Sequence, residues 1–139
     1  MSHVVSTQNI AYPSAAALVN AVVDDARAQG ISVCVSVVDR SGVLKAFAQM
    51  DGVSHIAVKA CQAKAYSALM GVGSQQLGEA VSNNLPQLVS LASFDNVVMM
   101  GGGLPIVIEG EVVGAIGVGG SSVDIDVACA EKALASLGL

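Results

Sequence analysis

His55 and Lys59 stand four residues apart in the stretch from Met50 to Leu69, and Gln62 and Tyr66 follow at seven and eleven residues from His55. On a helix that spacing puts all four on one stripe. An imidazole titrates near neutral pH and can accept or give a proton, or ligate. An ammonium one turn along can hold a carboxylate. Together they suit the polar wall of a pocket, although the same stripe also fits a solvated or subunit-facing surface. Lys64 lies about 140° around the helix from Lys59, so the two cannot share a pocket. Lodged among alanines, Lys64 must snorkel or pair with an acid.

Other chemistries find little support. His3 and His55 are the only histidines, and neither belongs to an HxH, HxxxH or HExxH pattern, so no metal site is expected. Cys34, Cys61 and Cys129 form no CxxC pair and sit in apolar segments, as small buried hydrophobes of a reducing cytoplasm do. Cys61 is about 240° from His55 on a helix, which separates any thiol–imidazole couple. No GxSxG elbow occurs. Gly101 to Gly103 and the run Gly117 to Ser122 match no phosphate-binding fingerprint. Gly101 to Gly103 are better read as letting a ligand or another chain lie against the strand end.

Composition narrows the class. The 139 residues are 53% hydrophobic and only 12% charged, with a net charge of −5. A monomer of 13.9 kDa exposes roughly 6,700 Å², which so few charges cover poorly, so self-association is expected. The acidic balance and the absence of Trp argue against nucleic acid. No apolar run reaches ~18 residues without Gly or a charge, and Met1 to Asn9 is short and polar, so no membrane span or leader is expected.

The elements that must position these residues read in a clear order. A helix runs from Pro13 to about Gln29 and stops at Gly30. The β-branched run from Ile31 to Val38 and the run from Val43 to Met50 make a hairpin around Asp39 to Gly42. A helix follows from Ser54, its N-cap, to about Met70. A shorter helix spans Ser74 to about Ser82 and breaks at Asn83 to Pro86. Asn96 to Met100 reads as a short strand. Two more strands flank the hairpin signal Glu109-Gly110, and a last helix runs from Ser121 or Ser122 to Ser136. The expected fold is one α+β domain over residues 1–139, a five-stranded, mainly antiparallel sheet flanked by helices.

Several stretches, in this order, resemble the GlcG/HbpS haem-binding-protein family, which includes the C-terminal domain of PduO-type proteins. They are VVDRSGVLKAF from Val37, MDG at Met50, AKAYSAL at Ala63, GGGLPIVIEGEVVGAIGVGG from Gly101 and DVACAEKAL from Asp126. The resemblance implies a profilin-like sheet, assembly into dimers and larger even-numbered oligomers, and haem or a related planar molecule as ligand. Lys64 and Asp126 both match the family pattern, which makes Asp126 the expected partner of Lys64 in a structural ion pair. Haem is therefore the one cofactor it brings forward, and the poverty in aromatic residues counts against it.

Against the family pattern, three residues depart within one short stretch: Gln49 replaces an arginine, Lys59 an acidic residue and His55 an apolar one. This clustering places a re-tooled pocket at the N-terminal end of the helix that begins near Ser54, roofed by Gly101 to Leu104. The expected site is His55 and Lys59 as reacting or ligating groups, with Gln49, Gly102, Gly103 and Leu104 as ligand contacts. The expected function is binding of haem or a similar planar metabolite. The alternative is a cofactor-free isomerase, lyase or hydrolase acting on a small, carboxylated catabolic metabolite, with His55 as acid/base and Lys59 as anion anchor.

Overall fold

Two tight turns build the sheet. At the first, the Asp39 carboxylate accepts the backbone N–H groups of Ser41 (2.8 Å) and Val43 (3.0 Å), and Gly42 takes a φ of 83°. It joins β1 (Cys34–Asp39) to β2 (Leu44–Gln49). At the second, Glu109 and Gly110 both have positive φ, 52° and 80°, as a type I′ hairpin turn requires. It joins β3 (Gly103–Ile108) to β4 (Glu111–Gly119). A computed structural model describes residues 1–139.

The two hairpins pair through β1 and β4, with Val37 opposite Ile116, giving a sheet of order β2-β1-β4-β3 that is antiparallel throughout. Five helices complete the domain: α1 (Tyr12–Gln29), α2 (His55–Ala68), α3 (Ser74–Val81), α4 (Leu85–Ala92) and α5 (Val123–Ser136). No helix is long and apolar enough to cross a membrane.

The period-2 pattern of the strands sends alternate residues to two different layers. Val33, Val35, Val37, Ile116 and Val118 face α1 and α5 and form the main core with Leu18, Val22, Cys129 and Ala133. Cys34, Ser36, Val38 and Ala115 face α2, where they meet Ala57, Cys61, Ala65 and Ala68. This explains why α2 is built of small residues. Its backbone lies so close to the sheet that a methyl group added at Gly117 would strike the Cys61 carbonyl, and one at Gly103 the Lys64 carbonyl. Alanine keeps the helix propensity high while allowing that approach.

The sheet has four strands, not the five expected. Asn96 to Met100 forms a loop whose backbone groups are taken by helix hydroxyls. The Val98 N–H donates to Ser67 Oγ, and the Met100 carbonyl accepts from Ser74 Oγ. Pro105 also stands on β3, the edge strand, with no N–H to offer a fifth. A second correction concerns Asn83 to Pro86. These residues end α3 but also start α4, because the Asn84 side chain accepts the Gln87 N–H at 3.1 Å and Pro86 fits a first helical turn.

Candidate functional site

α2 carries its chemistry on the side away from the sheet. Ser54 holds the N-cap position, yet its hydroxyl makes no capping bond, so the first N–H groups of the helix keep no side-chain partner. His55 and Lys59 follow, both exposed. With Ile56, Ala60, Gln62 and Ala63 they form one wall of a hollow of about 810 Å³, and Asp95, Asn96, Val98 and Met100 form the wall opposite. That volume falls in the range of small-molecule and cofactor sites.

Lys59 is electrostatically free. Of six cationic side chains, Arg27, Arg40, Lys64 and Lys132 pair with carboxylates, which leaves Lys45 and Lys59. Gln62, by contrast, returns its amide N–H to the Val58 carbonyl of its own helix (3.1 Å). Asp95 and Asn96 add a carboxylate and an amide across the hollow.

The remaining expected residues lie elsewhere. Tyr66 shares the stripe but not the hollow; its ring covers Gly42 at the β1–β2 turn. Gln49 borders a separate, smaller hollow with Arg27, Ser32 and Asp51. Gly102 and Gly103 are buried against Lys64, and Leu104 packs on the main core. The structure thus brings His55 and Lys59 together, and the wall facing them is Asp95 to Met100 rather than Gly101 to Leu104. Sequence reading missed that wall because Val97 to Met100 carries a strand-like run; the polar pair Asp95-Asn96 before it was the available signal.

Lys64 belongs to the scaffold. Its ammonium donates to Asp126 Oδ2 at 3.1 Å and to the Val118 carbonyl at 3.0 Å, while Asp126 Oδ1 accepts the Ser121 N–H at 3.1 Å. Burial raises the Asp126 carboxyl above its ordinary value, and Lys64 opposes that shift. The thiols are equally removed from chemistry: burial pushes Cys61 up to about 12 and also raises Cys34 beside it. No three His, Cys, Asp or Glu side chains gather into a metal-binding group.

A four-stranded antiparallel sheet between helical layers, with an open hollow along α2, defines a small α+β domain. Residues 10–135 match the family described as haem degrading protein HbpS-like, and the chain belongs to that family. GlcG of Escherichia coli (strain K12) is 32% identical over 111 residues, 75% of this chain and 76% of GlcG. The crystal structure of Klebsiella pneumoniae protein ORFY superposes with a TM-score of 0.91 at 29% identity, covering 100% of this chain and 98% of that one. The PduOC:haem complex superposes with a TM-score of 0.86 at 26% identity, covering 94% and 96%.

Proposed function

We propose that this protein binds haem or a closely related planar tetrapyrrole in the hollow along α2. The observation that carries the reading is the pairing of His55 with Lys59. An imidazole and an unpaired ammonium, both exposed, border one hollow of about 810 Å³. The donor set fits such a ligand. His55 would meet the iron, Lys59 a propionate carboxylate, and Ile56, Ala60, Val98 and Met100 the apolar ring. The uncapped start of α2 adds positive potential beside His55. Family membership and the haem complex of a relative at 26% identity support the same ligand class. The acid/base reading has less support, because a general base is normally oriented by a third group and His55 makes no side-chain hydrogen bond to the rest of the chain.

Haemin titration followed at the Soret band tests the proposal. Wild type should saturate near one equivalent per chain. His55→Ala should lose the ligated spectrum, and Lys59→Ala should weaken binding by about fivefold, since a partly exposed charge pair contributes roughly 1 kcal/mol. Lys45→Ala, which removes the other unpaired cation, should change nothing. A wild type without saturable haemin uptake overturns the reading.

A further inference from the structure

The wall of the hollow opposite α2 has almost no hydrogen-bond ladder of its own. Two buried serines pin the loop from Asp95 to Gly102, whose last carbonyl also accepts the Val118 N–H at 2.9 Å. Ser67 on α2 donates its hydroxyl proton to the Ala63 carbonyl at 2.8 Å and accepts the Val98 N–H at 2.9 Å. Ser74 on α3 donates to the Met100 carbonyl and accepts the Gly103 N–H at 2.9 Å. A hydroxyl has one proton to give. Ser67 spends it on its own helix, which leaves its lone pairs for the loop.

The two pins differ in what they join. Ser74 ties the far end of the loop to α3. Ser67 ties the two walls of the hollow to each other, because Ala63 lines one wall and Val98 the other. Ser67 is itself 2% exposed. Its bond to Val98 is the one hydrogen bond that crosses between α2 and the loop.

We infer that Ser67 is a positioning residue for the ligand site, its hydroxyl setting the separation of the α2 wall from the Asp95–Met100 wall. The role in binding rests on the proposal above, whereas the latch itself does not. Without the acceptor, the Val98 N–H must find water, and the loop gains freedom that a bound ligand would have to remove.

Two measurements on the full chain test this. The first is amide hydrogen exchange without ligand. Ser67→Ala should speed exchange in the peptide covering residues 95–100 by at least about tenfold, with β1, β4 and α5 unchanged. Ser67→Cys fills nearly the same space but accepts hydrogen bonds weakly, so it should behave as Ser67→Ala does. The second is haemin titration, in which both variants should bind about tenfold more weakly than wild type while retaining the ligated spectrum that His55 supplies. Unchanged exchange in Ser67→Ala overturns the latch, as does a cysteine variant that restores wild-type protection, since either reduces Ser67 to a space-filler. Faster exchange with unchanged haemin affinity overturns its role in binding. If wild type takes up no haemin, the binding reading falls and the positioning role falls with it, while the exchange result still decides the latch.

Discussion

Lys64 Nζ lies 3.1 Å from Asp126 Oδ2, and both side chains are buried, at 4% and 2% exposure. The pair joins the middle of α2 to the first turn of α5, and the Lys64 bond to Val118 adds the end of β4. Three layers therefore meet at one charge pair.

Breaking the pair from one side should be severe. Asp126→Ala strands an ammonium without its counter-charge and should cost about 3–5 kcal/mol in chemical denaturation, whereas Lys64→Met with Asp126→Leu should recover most of that. The sign with pH follows from the raised Asp126 carboxyl. A raised folded-state value means that stability from this group is fully present below the unfolded value near 3.8 and is lost as pH rises through the folded one. Lys64→Met removes the opposing cation, so its deficit against wild type should grow from pH 4 to pH 7. A deficit independent of pH would contradict this assignment.

Gly117→Ala should cost about 3 kcal/mol. The added methyl meets the Cys61 carbonyl and the Ala65 N–H, backbone atoms that yield only if α2 lifts off the sheet. Gly110→Ala provides the contrast. Its Cβ meets nothing within 4 Å, and only the positive φ of 80° opposes it, so a loss of about 1 kcal/mol is expected. Denaturant midpoints at constant m-value check both.

Sedimentation at micromolar concentration should show a dimer or larger. The chain is 53% hydrophobic and 12% charged, and its 7538 Å² of exposed surface carries many large apolar side chains. α4 contributes no buried residue, and Leu85, Val89 and Phe94 stand 68%, 59% and 61% exposed on and beside it. Leu85→Glu with Val89→Glu should shift the distribution toward monomer. An unchanged distribution would remove α4 from the contact.

The three cysteines should resist iodoacetamide in the native state. Burial raises all three thiols, Cys61 to about 12 and Cys129 to about 11, so little thiolate exists at pH 8. Mass spectrometry should find full alkylation only after unfolding. Rapid native labelling at Cys61 would mean that α2 opens away from the sheet.

The hairpins, α1, α5 and the need of Lys64 for an acid were legible in the sequence because each rests on local chemistry or on a buried charge that must be satisfied; Asp126 as its partner came from the family resemblance. Positive φ at Glu109 and Gly110, and Ser122 accepting the Ile125 N–H, are examples. The loop from Asn96 to Met100 was not legible. Its residues prefer a strand, and what overrules them is a pair of hydroxyls from helices some thirty residues earlier. The site was half legible for the same reason. Helical periodicity could align His55 with Lys59, but no local rule could say that Asp95 and Asn96 would face them, or that Gly102 and Gly103 would serve packing instead.

The order β2-β1-β4-β3 also governs how the chain reaches its native state. Each hairpin closes over a short turn and can form within microseconds. The sheet exists only when Cys34 to Asp39 meets Gly114 to Gly119, across β2, α2, α3, α4 and β3. Closing that long segment costs entropy before any β1–β4 bond is made. Non-local encounters of this kind, rather than the formation of either hairpin, are therefore expected to limit the folding rate.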